Sequence, residues 1–272
     1  MLTRAITGVL FIVTIVAGIY FNSIIAMGLF TLIVLLGIDE FYGLVKKSKE
    51  IKPIKFLGTL AGVSLMIILG LLSQGEVQFK YIFIPIIMMF FIFIVELYRK
   101  KSAPFVNIAF TVLGAIYVAI PFAMLFDLGY YSNTGILSEY SFQIILGFFL
   151  LLWMNDTGAY LSGRFFGKHK LFERISPKKT WEGSIGGGIV TLALAYILSI
   201  YFTNLSLTNW MILGFIIAVF GGLGDLVESM LKRSLNIKDS GKLLPGHGGI
   251  LDRFDGLLLS VPFVYSYLQL IS

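Results

Sequence analysis

The stretch from Asp225 to Asp255 holds four aspartates, one glutamate, five basic residues and a histidine, all between two apolar segments. Asp225, Glu228 and Ser229 stand at i, i+3 and i+4, so a helix continuing to Lys232 sets them on one face, with Glu228 and Lys232 in register for an ion pair. Asp252 and Asp255 are three apart at the head of the last apolar segment, and share a face if that segment is already helical there. Two carboxylate pairs at the same end of consecutive helices could meet. Oxygen ligands so spaced suit one or two hard divalent cations with vertices left for substrate phosphates. Between the pairs, Pro245-Gly246-His247-Gly248-Gly249 lets the backbone approach a ligand. His247 there either contacts a phosphate or moves a proton, or is a loop histidine bonded to backbone. Lys232, Arg233, Lys238, Lys242 and Arg253 could neutralise phosphate oxygens, arginine being suited to bidentate contact, although Lys242 reads better as a solvated loop charge.

A second constellation runs from Trp153 to Gly188. Asp156 falls near the inner end of an apolar segment, where an unpaired carboxylate costs on the order of 2.5 to 3.5 kcal/mol at the helix centre and less towards the interface. It is either a metal or proton ligand, or an interfacial acid paired with a cation of the next loop. In Ser176-Pro177-Lys178-Lys179-Thr180, hydroxyls flank two cations just ahead of Gly183, Gly186, Gly187 and Gly188 at the start of the next segment. Ammonium groups, hydroxyl donors and backbone N–H groups at a helix start are the parts of a phosphate site. The glycines could equally be a close-packing patch. The spacing is not that of a Walker A loop.

What must position these residues is a membrane bundle. Of 272 residues 57% are hydrophobic and only 13% charged, with a mean hydropathy of +0.90; soluble domains carry about 25% charge. Taking roughly 20 apolar residues per crossing, candidate helices lie near 5–21, 23–38, 56–72, 81–97, 105–126, 141–160, 183–203, 209–228 and 256–271. The first two could be one bent pair. The segment after Arg4 lacks a small-residue cleavage site and reads as a retained span. Basic residues follow a parity. Those before the first helix and after the second, fourth, sixth and eighth make up twenty of the twenty-one Lys and Arg, leaving only Lys80 for the other loops. Cytoplasmic loops retain such an excess. The expectation is an all-α integral membrane protein, a polytopic bundle of about nine transmembrane helices in an inner membrane, with a cytoplasmic N-terminus and an outside C-terminus. Residues 1–140 read as N-terminal scaffold helices, and 141–272 as the catalytic region with two cytoplasmic loops.

Several classes fall away. Without cysteine there is neither a disulfide framework nor a thiolate site, and two histidines make a hard cation the better expectation than zinc. No basic and aromatic interleaved stretch is long enough for nucleic acid. A transporter stays as the remoter alternative: it should show repeated halves with broken helices near the midplane, whereas here the charge gathers at one face of one half.

Ser229, Lys232-Arg233, Lys238-Asp239, Gly241, Leu244-Pro245, His247-Gly248-Gly249 and Asp252-Arg253-Phe254-Asp255 resemble the signature of the phosphatidate cytidylyltransferases, the CDP-diacylglycerol synthases, without departure. Asp156-Thr157-Gly158-Ala159-Tyr160 and Ser176 through Gly183 resemble upstream blocks of the same family. The resemblance implies an enzyme that joins CTP and phosphatidic acid at the bilayer, gives CDP-diacylglycerol and pyrophosphate, uses one or two magnesium ions and forms a homodimer. On it, Asp225 and Asp252 are expected as the main metal ligands, with Asp255, Glu228 and Asp156 as further ones. Lys178, Lys179, Arg233, Lys238 and Arg253 neutralise phosphates, Ser176, Thr180 and His247 give hydrogen bonds, and Lys232 belongs to the substrate site. Asp225, Asp252, Lys238 and Arg253 form the expected catalytic set. The alternative is another CTP-dependent lipid enzyme, a polyprenol kinase or an ether-lipid CDP synthase, differing in its acceptor pocket.

Overall fold

The computed structural model describes residues 2–48, 50–131, 139–235, 237, 241 and 248–272, with backbone alone for 2–5. In lipid every backbone polar group must be satisfied within its own segment, so long apolar runs become helices. They are α1 (Leu2–Phe21), α2 (Ser23–Val45), α3 (Lys55–Ser73), α4 (Phe83–Arg99), α5 (Pro104–Asp127), α6 (Gln143–Phe166), α7 (Trp181–Tyr201), α8 (Leu207–Ser234) and α9 (Leu251–Ile271). Among the described residues, eight of these segments are long and apolar enough to cross a membrane, and α1 contributes a shorter apolar run, Ile6–Phe21. The chain is thus a polytopic helical membrane protein. Asn22 separates the first two helices: its backbone is extended and its side chain accepts the Ile25 N–H at 2.8 Å, capping α2.

Two features depart from the hydropathy reading. The helices outrun their apolar cores at the basic end: α2 reaches Val45, α6 reaches Phe166, α8 reaches Ser234, and α9 starts at Leu251. Hydropathy marks only the lipid-facing part, and pairs such as Glu228 with Lys232 carry the helix on into charged sequence. Secondly, the segment between α6 and α7 contains a two-stranded antiparallel hairpin, β1 (Lys170–Phe172) and β2 (Ser176–Thr180). Ser176 to Thr180 is therefore a strand. Both strands are edges, where the missing N–H of Pro177 costs no ladder bond.

The described residues that follow α2, α4, α6 and α8 gather at one face. There the Lys52 N–H donates to Asn107 Oδ1 (2.7 Å), Arg99 donates to the Lys52 carbonyl (3.0 Å), and the Ile250 N–H donates to Glu40 (2.7 Å). At the opposite face Tyr140 donates to the Ile19 carbonyl (2.9 Å) and Tyr265 to Asp127 (2.8 Å). Glu96, 3% exposed at the basic face, is held by Arg99 (2.6 Å) and by Asn107 (2.7 Å).

One apolar core runs through both parts of the chain. Its ring cluster includes Phe254, which is buried and meets Phe122 of α5 at 5.1 Å and Phe149 of α6 at 6.4 Å between centroids. Seating Phe254 in this cluster fixes the rotation of the first turn of α9. The neighbours Asp252 and Asp255, three apart, are turned to another side.

Candidate active site

That side opens on a cavity of about 450 Å³ at the basic face, walled by α6, the end of β2, α7, α8 and α9. Asp156, Lys178, Lys179, Thr180, Asp225, Asp252 and Asp255 line it. The two constellations, some fifty residues apart in sequence, thus share one space. Tyr160, part of the upstream family block, also lines it, as do Asn155, Arg164 and Ser184, which the sequence does not single out; Arg164 is visible there only as one loop charge among many.

Close helix packing makes the convergence possible. A methyl group on Gly224 of α8 would collide with the Asp255 carbonyl and stand 2.9 Å from Gly256 Cα, so α8 and α9 meet backbone to backbone where their aspartates begin. On the other wall a Cβ on Gly187 would lie 2.8 Å from the Asn155 carbonyl, and one on Gly183 would lie 2.9 Å from that of Ala159. The glycine run of α7 is spent on contact with α6, the small-residue packing common between membrane helices, and its helix-start N–H groups are not all free for a ligand. Thr180 Oγ1 caps α7 by accepting the Gly183 N–H at 3.2 Å, which leaves its hydroxyl hydrogen to donate into the cavity it lines.

The acids are held by cations. Lys179 Nζ lies 2.7 Å from Asp225 Oδ2 and 2.9 Å from the Gly222 carbonyl. Ser229 Oγ donates to Asp225 Oδ1 at 3.2 Å, so the i, i+4 spacing is realised. Lys232 is largely buried, bridging Glu228 Oε2 (3.1 Å) and Asp252 Oδ1 (2.7 Å). Asp252 Oδ2 accepts the Gly249 N–H at 2.9 Å, just after Gly248, whose φ of +82° suits only glycine and whose added Cβ would strike that same carboxylate. Arg253 is exposed and is not among the residues that line the cavity.

Not every expected residue reaches the cavity wall. Ser176 sits at the far end of β2, paired with Phe172, and Arg233 is exposed with Nη1 3.5 Å from the Ile237 carbonyl. Lys232 and Glu228 stand behind the wall as an ion-paired support, because the helical turn that aims Asp225 at the cavity rotates them towards α9. Lys238 and His247, with Lys242, lie outside the described residues. A shallow depression on the hairpin contains one acid, Glu182, whose carboxylate already accepts the Lys168 N–H (3.1 Å) and meets the His169 ring (2.6 Å).

The chain matches the cytidylyltransferase family over residues 2–271. It belongs to the cytidylyltransferase family. Phosphatidate cytidylyltransferase of Staphylococcus aureus (strain COL) is 37% identical over 256 residues, which cover 92% of this chain and 94% of that protein. The protein of the same name from Staphylococcus haemolyticus is 39% identical over 220 residues, 79% of this chain and 80% of its own. Membership makes the chain a nucleotidyltransferase, and it extends the likeness through α1 to α5, which sequence signatures tied to the family only as apolar helices.

A cytidylyltransferase must neutralise the charge of a triphosphate, and the donor set here fits a hard divalent cation. Among the described residues no three acids or histidines enclose an ion as the side chains stand. Four aspartates nevertheless line one cavity with oxygen donors only. In addition Glu228 Oε1, buried behind them, has no hydrogen-bond donor among the described residues. Asp225 and Asp252 would exchange a lysine contact for a metal contact at little cost in charge balance.

Proposed function

We propose that this chain transfers the cytidylyl group of CTP to phosphatidic acid, giving CDP-diacylglycerol and pyrophosphate. The observation that carries this reading is the single cavity in which Asp156, Asp225, Asp252 and Asp255 face Lys178 and Lys179. It lies in a bilayer-embedded chain whose relatives are phosphatidate cytidylyltransferases. A phosphate oxygen of the lipid forms a bond to the alpha phosphorus of CTP in line, while the bond from that phosphorus to the bridging oxygen breaks and pyrophosphate leaves. The attacking monoester is already ionised near neutrality, so no general base is required, and catalysis rests on positioning and charge neutralisation.

Each residue then has a task. Asp225 and Asp252 would hold magnesium, with Asp255 and Asp156 as further oxygen ligands, while Glu228 behind the wall holds Lys232. The ion supplies Lewis-acid neutralisation of phosphate oxygens. Lys178, Lys179, Arg164 and Arg253 counter the phosphate charge from the hairpin, α6 and α9, and the Thr180 hydroxyl donates a hydrogen bond. Support for a cytoplasm-facing site in an inner membrane comes from the basic residues, which cluster at the cavity's face as retained cytoplasmic loops do. CTP reaches the cavity from water, and acyl chains stay in the bilayer beside it.

Pyrophosphate release by purified protein in detergent, given CTP, magnesium and one acceptor at a time, tests the reading. Phosphatidate should support release and a polyprenol should not. CDP release with the polyprenol alone, the product of terminal phosphate transfer, would reassign both acceptor and reaction, and no pyrophosphate release with any acceptor would end the proposal.

A further inference from the structure

We infer that Glu40, on α2 in the front half of the chain, is a positioning residue for the transfer site: it holds the first turn of α9, which presents Asp252 and Asp255. This rests on the function proposed above. The two carboxylate oxygens are divided between adjacent donors, the Ile250 N–H to Oε2 at 2.7 Å and the Leu251 N–H to Oε1 at 3.2 Å, across 210 and 211 residues of sequence. A helix start leaves N–H groups without intrahelical partners, and the local sequence of α9 does not supply a cap for these two. The side chain at the cap position is Ile250, which has no acceptor, and Asp252 Oδ2 is taken by the Gly249 N–H. Glu40 therefore caps α9 from another helix, with a negative charge at the positive end of the helix dipole.

The seat is built for that contact. Gly37, one turn earlier on α2, stands against α9, so that a Cβ there would be 3.8 Å from both the Ile250 and Leu251 side chains. The turn is then gripped from two sides, by Glu40 on its backbone and by Lys232 on the Asp252 carboxylate at 2.7 Å. Glu40 does not line the cavity, so its effect on transfer passes through the position of Asp252. Adjacent Asp39 makes a useful contrast, since it is spent on a solvent-exposed ion pair with Lys55.

Three variants in the full-length protein test the inference: Glu40→Ala, Glu40→Gln and Asp39→Ala. Amide hydrogen exchange is read by peptide, and kcat and KM for CTP are measured with phosphatidate. Glu40→Ala should speed exchange at Ile250 and Leu251 by roughly two- to thirty-fold, the loss of a helix cap expressed as a ratio. It should lower kcat by about tenfold or more, with a smaller change in KM, because misplacing a catalytic group by about 1 Å costs on the order of a hundredfold. Glu40→Gln, keeping a neutral acceptor, should fall between, and Asp39→Ala should match wild type in both readouts. Unchanged exchange in Glu40→Ala, unchanged kcat despite faster exchange, or faster exchange throughout α2, α5 and α9 would each overturn the inference. The exchange readout needs no turnover, so it is separable from failure of the proposed reaction.

Discussion

Replacing Gly224 by alanine is the sharpest steric test of how the site is assembled. The added methyl would meet the Asp255 carbonyl oxygen, Gly256 Cα at 2.9 Å and the Asp255 carbonyl carbon at 3.0 Å. All three are backbone atoms of α9, so no side chain can swing aside. Restoring ordinary contact requires α8 and α9 to part by roughly 1 Å or more. Overpacking of this kind costs about 1–3 kcal/mol, which a bundle with a core running through both parts of the chain should survive. The functional cost should sit near the top of that range, with the fold retained. Asp225 lies one residue from the wedge on α8, and on α9 Asp255 is at the contact with Asp252 one turn earlier, so the carboxylates separate by a similar distance. A misplacement of about 1 Å is worth on the order of a hundredfold in rate. The assay is steady-state pyrophosphate release with CTP, magnesium and phosphatidate, alongside size-exclusion behaviour in detergent. Gly43→Ala serves as control, since nothing lies within 4 Å of its added Cβ. A Gly224→Ala protein with more than about half of wild-type kcat would refute the claim that this helix contact sets the spacing of the acids.

Other variants test the charges separately. Lys232→Met should destabilise the protein by about 3–5 kcal/mol, because it strands the carboxylates of Glu228 and Asp252 without their buried partner; thermal unfolding in detergent reads this, and adding Glu228→Gln should recover part of the loss. Lys179→Ala removes a cation 2.7 Å from Asp225 that also faces the substrate cavity, and should lower kcat/KM for CTP by about a hundredfold with the fold retained. Chelation of divalent ions should abolish turnover and magnesium should restore it, whereas activity unaffected by EDTA would remove the metal from the account. Lys55→Ala breaks only an exposed pair and should change stability by less than about 1 kcal/mol.

How much of this was legible in the sequence varies with the range of the interaction. The alignment of Asp225, Ser229, Glu228 and Lys232 follows from helical spacing, and the parity of basic loops follows from the way membranes sort charge, so both were readable without coordinates. The hairpin was not, because strands of three and five residues around Pro177 leave no usable alternation. The glycines of α7 announced a close approach but not its partner: whether Gly183 and Gly187 meet a ligand or α6 depends on Asn155 and Ala159, a helix away. Glu40 was invisible, one acid on a scaffold helix whose two donors lie 210 residues further on. Hydropathy ends α8 short because Glu228 and Lys232 are too polar to count as a span, although pairing each other keeps them helical.

On the proposed function, the aspartate-lined cavity moves a cytidylyl group, and not a terminal phosphate, onto a lipid phosphate. Following label from CTP carrying radioactive phosphorus at either the alpha or the gamma position tests it most directly. With magnesium and phosphatidate, the alpha label should pass into the organic-extractable product and the gamma label into pyrophosphate, and Asp252→Asn should abolish both. Gamma label in the lipid, or alpha label confined to water-soluble nucleotide, would contradict the account.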